Sequence, residues 1–126
     1  MVAAAVSNNG LSDYTFPETL DASGNTTSWL EVRNKQNHTI QFTAPGAHTA
    51  ITVKAEGSLD GTYFFGLDVS GNGQPDLSGN VAFTGLPATY AITIQNRPVN
   101  YIRLKLVSYA GGGTVAGITP IKYRGG

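Results

Sequence analysis

The side chains in this chain that could do chemistry are few, and their spacing decides what they can do. There are two histidines, His38 and His48, and no cysteine, so no thiol nucleophile, thiolate metal ligand or disulfide can form. A Ser-His-Asp set has no frame, because no Gly-x-Ser-x-Gly elbow is present. Carboxylates do not recur in pairs at a fixed spacing, and the histidines do not fall at His-x-x-x-His. Both histidines are expected at the surface, His38 at the start of a strand and His48 in a loop. This inventory argues for a protein that binds, not an enzyme, with no cofactor.

One loop carries oxygen ligands at suggestive spacing. Asp68-Val69-Ser70-Gly71-Asn72-Gly73-Gln74-Pro75-Asp76 reads D-x-S-x-N-G-x-x-D. Asp68, Ser70, Asn72 and Asp76 fall where a calcium loop places donors, and calcium needs six to eight oxygens. Two of the four are neutral, however, and Gly79 stands where a bidentate Glu belongs. Ligand charge sets calcium affinity, so the stretch is read as a polar, Asn- and Gly-rich hairpin loop.

Aromatic side chains are the other resource. Trp29, Tyr14, Tyr63, Tyr109 and Tyr123 could stack on sugar rings, with Trp29 and Tyr109 the best placed. A lone Trp in an alternating strand is more often packed inward than displayed. In Tyr63-Phe64-Phe65, parity sets Phe64 on the face opposite Tyr63 and Phe65, so one face of that strand calls for cover by another chain or by the N-terminal arm.

The elements that must position these groups are strands. Good helix formers are scarce, and Thr, Val, Ile, Tyr and Phe dominate the periodic stretches, which alternate with period two. Strands are expected over 29–33, 38–43, 50–56, 62–67, 81–83, 89–95 and 100–108, with a last strand or broken pair over 114–118 and 120–123. The inward set is Leu30 and Val32, Ile40 and Phe42, Ile51, Val53 and Ala55, Tyr90, Ile92 and Ile94, and Ile102, Leu104 and Leu106. Turn chemistry separates the runs, and Asp60-Gly61 between two apolar stretches is the strongest hairpin signal. About eight short strands spaced by polar turns predict an all-β, two-sheet antiparallel sandwich, jelly-roll or immunoglobulin-like. Residues 13–126 read as that one domain and residues 1–12 as an extended arm.

Composition supports this and excludes other classes. At 126 residues the chain suits one domain that folds without staples. Only 13% of residues are charged, about half the usual ~25%, and sixteen are glycine, which is the make-up of a turn-rich β protein and not of a charge-solvated disordered one. Net charge is zero but lopsided: residues 1–76 hold three bases against eight acids, and residues 77–126 hold five bases and no acid. If strands from the two halves interleave, these charges pair across the sheets; otherwise they form a dipolar docking surface. No basic stripe with net positive charge points to nucleic acid. No run approaches a membrane span, and Val2 to Val6 is too short for a signal-peptide core.

Two stretches carry a resemblance. Ile51-Thr52-Val53-Lys54-Ala55-Glu56-Gly57-Ser58-Leu59-Asp60-Gly61-Thr62-Tyr63-Phe64 resembles a motif of small β-sandwich phage virion proteins: an alternating strand, Glu-Gly-Ser-Leu-Asp-Gly-Thr, then an aromatic. Asn100 to Tyr109, followed by Gly111-Gly112-Gly113-Thr114-Val115, is similar to their later Tyr-Ile-Arg strand, Gly-rich turn and final Thr-Val strand. The motif's own physics is structural: Asp60 and Gly61 turn a hairpin, Ser58 caps it, and Lys54 and Glu56 decorate the solvent face. It therefore marks a fold and not an active site.

The resemblance implies a capsid decoration or minor capsid protein, made in the host cytoplasm and carried on the outer capsid surface. Its partners would be the major capsid protein and copies of itself, as a dimer or trimer, without nucleic acid or membrane. Contacts would come from the arm (Val2, Val6, Leu11), from Tyr63 and Phe65, and from Arg124 in the basic half. Discoidin-like carbohydrate- and lipid-binding domains use similar phrases but are usually longer. The alternative is thus a carbohydrate-binding or adhesin module on a fibre or tail, using Trp29 and Tyr109.

Overall fold

Among the described residues ten strands build two sheets. The computed structural model describes residues 6–7, 13–44, 50–67, 80–84, 88–110 and 117–126. The strands are β1 (Val6–Ser7), β2 (Asp13–Phe16), β3 (Leu30–Glu31), β4 (His38–Ala44), β5 (Ala50–Ser58), β6 (Phe64–Gly66), β7 (Val81–Thr84), β8 (Ala88–Ile94), β9 (Tyr101–Ala110) and β10 (Ile121–Gly125). The larger sheet runs β1-β3-β9-β5-β6, with β7 also on β5, and the smaller runs β2-β10-β4-β8. Every pairing is antiparallel except β1 with β3, where Val6 and Ser7 of the arm lie parallel to Leu30 and Glu31. Among the described residues there is no helix. The architecture is the expected all-β sandwich.

Period-two alternation decides which side chains meet between the sheets. Ile51, Val53 and Ala55 of β5 and Ile102, Leu104 and Leu106 of β9 face Ile40 and Phe42 of β4 and Ile92 and Ile94 of β8, all buried. Leu30 and Val32 join them, and Tyr90 packs on the margin. Phe42 meets Phe83 edge-on with ring centroids 5.4 Å apart, a favoured aromatic geometry.

Several details depart from the expectation. Asp13–Phe16 forms a strand, β2, although one full period of Tyr14 and Phe16 is too short a signal to stand out. The stretch 29–33 narrows to Leu30–Glu31, since Asn34 turns the chain at φ 68°. Ahead of it, residues 24–27 run along β9 without regular pairing: Gly24 N donates to Leu106 O at 2.8 Å and Thr27 N to Leu104 O at 2.9 Å. Thr27 Oγ1 also accepts from Leu104 N at 3.1 Å.

His38 is a clear correction: it is buried, not at the surface. Arg97 O can only accept, so His38 Nε2, 3.0 Å away, carries the proton. Nδ1 then accepts from the Tyr123 hydroxyl at 2.7 Å. Burial pushes the Tyr123 phenol well above its ordinary value. It also lowers the imidazole pKa, with Lys35 acting the same way and the Arg97 hydrogen bond opposing. His48 lies outside the described residues.

The charge halves do interleave. Glu56 of the acidic half meets Arg103 of the basic half, and Asp13 meets Arg124 at 3.0 Å on an exposed rim.

Candidate interaction surface

The hairpin joining β5 to β6 is built by its own turn chemistry. Ser58 Oγ accepts from Gly61 N at 2.8 Å and donates to Tyr63 O. Asp60 Oδ1 accepts from Thr62 N at 2.8 Å and Tyr63 N at 2.9 Å. Those two backbone donors hold the Asp60 carboxyl below its ordinary pKa. Gly61 sits at φ 77°, a conformation that glycine adopts without strain. The Ser-Leu-Asp-Gly-Thr motif is thus a closed turn whose polar groups are spent on its own backbone.

Its large side chains are left outside. Leu59 is 60% exposed, Tyr63 80%, Phe64 51% and Phe65 46%, and these are the exposed large apolar side chains among the described residues. Together with Asp60 they line a shallow concavity of about 210 Å³. Four such side chains on one hairpin make a contiguous patch of the kind that marks interaction sites.

Beneath the patch lies a charged layer that sequence reasoning placed in solvent. Glu56 and Arg103 face each other across the β5–β9 register. Arg103 Nε donates to Glu56 Oε1 at 2.8 Å, Lys54 Nζ stands 3.5 Å from Oε2, and Glu56 is only 1% exposed. The expectation that Glu56 decorates the solvent face is therefore corrected. It failed because the face is covered: Trp29 folds over it from the strap along β9, and Phe64 reaches over from the hairpin. The Arg103 guanidinium carbon is 4.2 Å from the Trp29 ring centroid and 4.6 Å from that of Phe64. A cation in contact with two adjacent, tilted aromatic rings whose centroids are 6.2 Å apart, neutralised by a buried carboxylate, holds the Phe64 ring over Arg103.

Trp29 is 2% exposed with one face against Arg103, so it offers no ring for a sugar to stack on. Tyr109 is half-buried and packs against the core. Tyr63 and Phe65 are exposed on the hairpin, whereas Arg124 sits on the other sheet with Asp13. The structure thus brings Tyr63 and Phe65 together and leaves Arg124 apart. Leu59 and Phe64 were missed as surface members, although the Asp60-Gly61 turn placed them at its base. Val2, Leu11, Asp68, Ser70, Asn72 and Asp76 lie outside the described residues, as does the side chain of Val6. Among the described residues no cluster of three or more acids and histidines could hold a metal.

No family model matches the chain, and no curated protein matches it. Among solved structures it is similar to the SPBc2 prophage-derived protein YomS, with a TM-score of 0.54 and 14% identity over 90% of this chain and 91% of that one. It is also similar to the C-terminal domain of a chitobiase from Bacteroides fragilis, with a TM-score of 0.48 and 22% identity over 73% of this chain and 56% of that one. The chain is a β-sandwich module, and the likeness to YomS is one of fold over nearly the whole length of both proteins.

Proposed function

We propose that this chain is a non-enzymatic structural protein of a phage virion, a decoration or cement protein on the outer capsid surface that stabilises the head. Its partners are the major capsid protein and further copies of itself, and it reaches the particle after synthesis in the host cytoplasm. The observation that carries this reading is the β5–β6 hairpin, a turn closed by its own hydrogen bonds that holds four large apolar side chains in solvent. A lone protein gains nothing from such a patch, whereas an assembly part recovers the exposed area as binding energy, summed over many copies. A prophage-derived protein with the same fold over 90% of this chain lends support.

The test is to purify particles from the source culture and measure the copies of this chain against the major capsid protein. A number equal to, or a simple fraction of, the capsid copies is expected. Complete absence from particles overturns the reading.

A second reading is a carbohydrate-binding module on a fibre or tail. The exposure of Tyr63 beside Phe64 and Phe65 favours it, since aromatic faces stack on sugar rings. It expects glycan affinity that Tyr63→Ala abolishes while the fold is kept, together with only a few copies per particle.

A further inference from the structure

The patch contains an open sheet edge as well as exposed rings. Among the described residues β6 stands at the end of the larger sheet, pairs with β5 alone, and has all three residues exposed. Natural edges are guarded by charge, proline, a bulge or short length, and at three residues β6 has only the last of these. Residues 61–67, Gly-Thr-Tyr-Phe-Phe-Gly-Leu, contain no charge and no proline. Among the described residues no other strand pairs with this edge.

The backbone direction along β6 follows from its register. Leu67 N donates to Ala55 O at 2.9 Å, so the 55–67 pair is hydrogen-bonded. Antiparallel ladders alternate, and the partners are Glu56 with Gly66, Gly57 with Phe65 and Ser58 with Phe64. Phe65 therefore spends its N–H and C=O on Gly57, while Phe64 and Gly66 turn theirs outward.

We propose that two copies of this chain pair through their β6 edges, antiparallel and about a two-fold axis at Phe65, so that the larger sheets of both join into one. In that register Phe64 of each copy opposes Gly66 of the other, and the four outward N–H and C=O groups of each edge are satisfied. The side-chain fit is self-complementary. Phe64 keeps its ring over Arg103, away from the edge, and the glycine opposite it has no side chain to clash. The two Phe65 rings meet on the opposite face in a non-hydrogen-bonded pair, where side chains come closest. An isologous contact of this kind closes on itself and leaves no second free edge at β6.

A second copy fits this edge better than an unrelated pocket-bearing partner because the strand supplies both halves of the match, outward N–H and C=O groups at Phe64 and Gly66 that satisfy each other and no side chain at Gly66 to hold the backbones apart. The exposed area sets the strength. At roughly 200 Å² per aromatic side chain, Tyr63, Phe64 and Phe65 leave on the order of 350 Å² open per copy, and Leu59 adds about 100 Å². Both copies together fall just under the ~1,000 Å² expected of a lasting interface. The dimer is accordingly weak in free solution and strengthens where copies are held close together, as on a particle. The inference deepens the self-association part of the proposed function and does not depend on the virion placement.

The absence of cysteine makes the register directly testable. At a two-fold axis a residue meets its own copy, and a non-hydrogen-bonded pair has a Cα separation of ~4.5 Å, within disulfide range. Phe65→Cys should form a disulfide-linked dimer under mild oxidation at least ~10 times faster than Tyr63→Cys, because the paired cysteines face each other at high effective concentration. Tyr63 is the more exposed residue, so random collision predicts the reverse order. Sedimentation of the unmodified chain should show concentration-dependent dimer, which Phe65→Lys abolishes with an unchanged circular dichroism spectrum. Equal cross-linking rates for the two cysteine variants, or a chain that stays monomeric up to ~1 mM, overturns the proposal. Either failure leaves the copy number on particles as a separate question, decided by its own measurement.

Discussion

Glu56 and Arg103 stand opposite each other on neighbouring strands and join at 2.8 Å beneath Trp29, with the carboxylate all but removed from water. A buried ion pair adds little over an apolar pair of similar volume, but breaking it leaves an uncompensated charge. Arg103→Ala removes both the guanidinium and the cation stacked on Trp29 and Phe64, leaving Glu56 with Lys54 at 3.5 Å. The expected loss is about 2–4 kcal/mol, with Lys54 offsetting part of the full penalty. The double change Glu56→Leu with Arg103→Met should recover most of it. Urea unfolding followed by the emission of the single tryptophan reads both effects. An Arg103→Ala variant as stable as the parent chain would show that the pair is not desolvated.

Most of the sandwich was legible in the sequence because alternation is read directly from residue types. The inward parities of β4, β5, β8 and β9 are those expected. The surface was less legible. Glu56 falls on the outward parity, and so it does in the structure; its burial comes from Trp29 and Phe64, which approach from segments distant in sequence. His38 is buried for a similar reason: at the start of β4 it lies between Tyr123 of β10 and the Arg97 carbonyl, neither of which a local pattern can place beside it. The hairpin was legible as a turn, and the open edge beside it depends on strand order, which alternation does not encode.

The His38 pocket makes stability depend on pH. The unfolded chain takes up a proton on this imidazole near its ordinary value of 6.5, whereas the folded chain does so only at lower pH because the ring is buried. Between those two values the unfolded state binds more protons, so stability falls as pH falls. The full contribution is present above about pH 6.5, is lost on descending through the folded-state value, and then levels off. Urea midpoints should decline over this window, and His38→Gln should remove that part of the slope. Tyr123→Phe deletes the donor to Nδ1 and should cost about 1–2 kcal/mol near neutral pH, since it leaves a buried acceptor unsatisfied. A stability profile identical in the parent chain and His38→Gln would disprove the assignment.

The turn at the base of the exposed patch should be fragile to small changes. Ser58→Ala strips the Gly61 and Asp60 amides of a buried acceptor and should cost about 1–2 kcal/mol. Gly61→Ala places a Cβ at φ 77° and should cost about 1 kcal/mol. Asp60→Ala should loosen the loop with a smaller global effect, because that carboxylate is in water. Asp60 titrates lower in the folded chain, so its contribution is present above its ordinary value and lost as pH falls through the lowered one. Chymotryptic cleavage after Tyr63 is a sensitive readout and should accelerate in all three variants. Unaltered cleavage rates would mean that the side-chain caps do not hold the hairpin.

Gly57 couples the hairpin to the core. It pairs with Phe65, and its missing side chain lets two buried residues close over the strand. A Cβ there would stand 2.9 Å from Val99 Cγ1 and 3.0 and 3.1 Å from the two methyls of Leu67, tighter than packed carbons allow. Gly57→Ala should therefore destabilise by about 1–3 kcal/mol through overpacking. Val99→Ala alone should also destabilise, by opening a cavity. Combined, the two changes should cost at least about 0.5 kcal/mol less than the sum of the single effects, because each relieves the other. Strict additivity in this cycle would mean that Val99 is not the neighbour that keeps position 57 a glycine, and the clash would then have to be borne by Leu67, the residue that follows the edge strand.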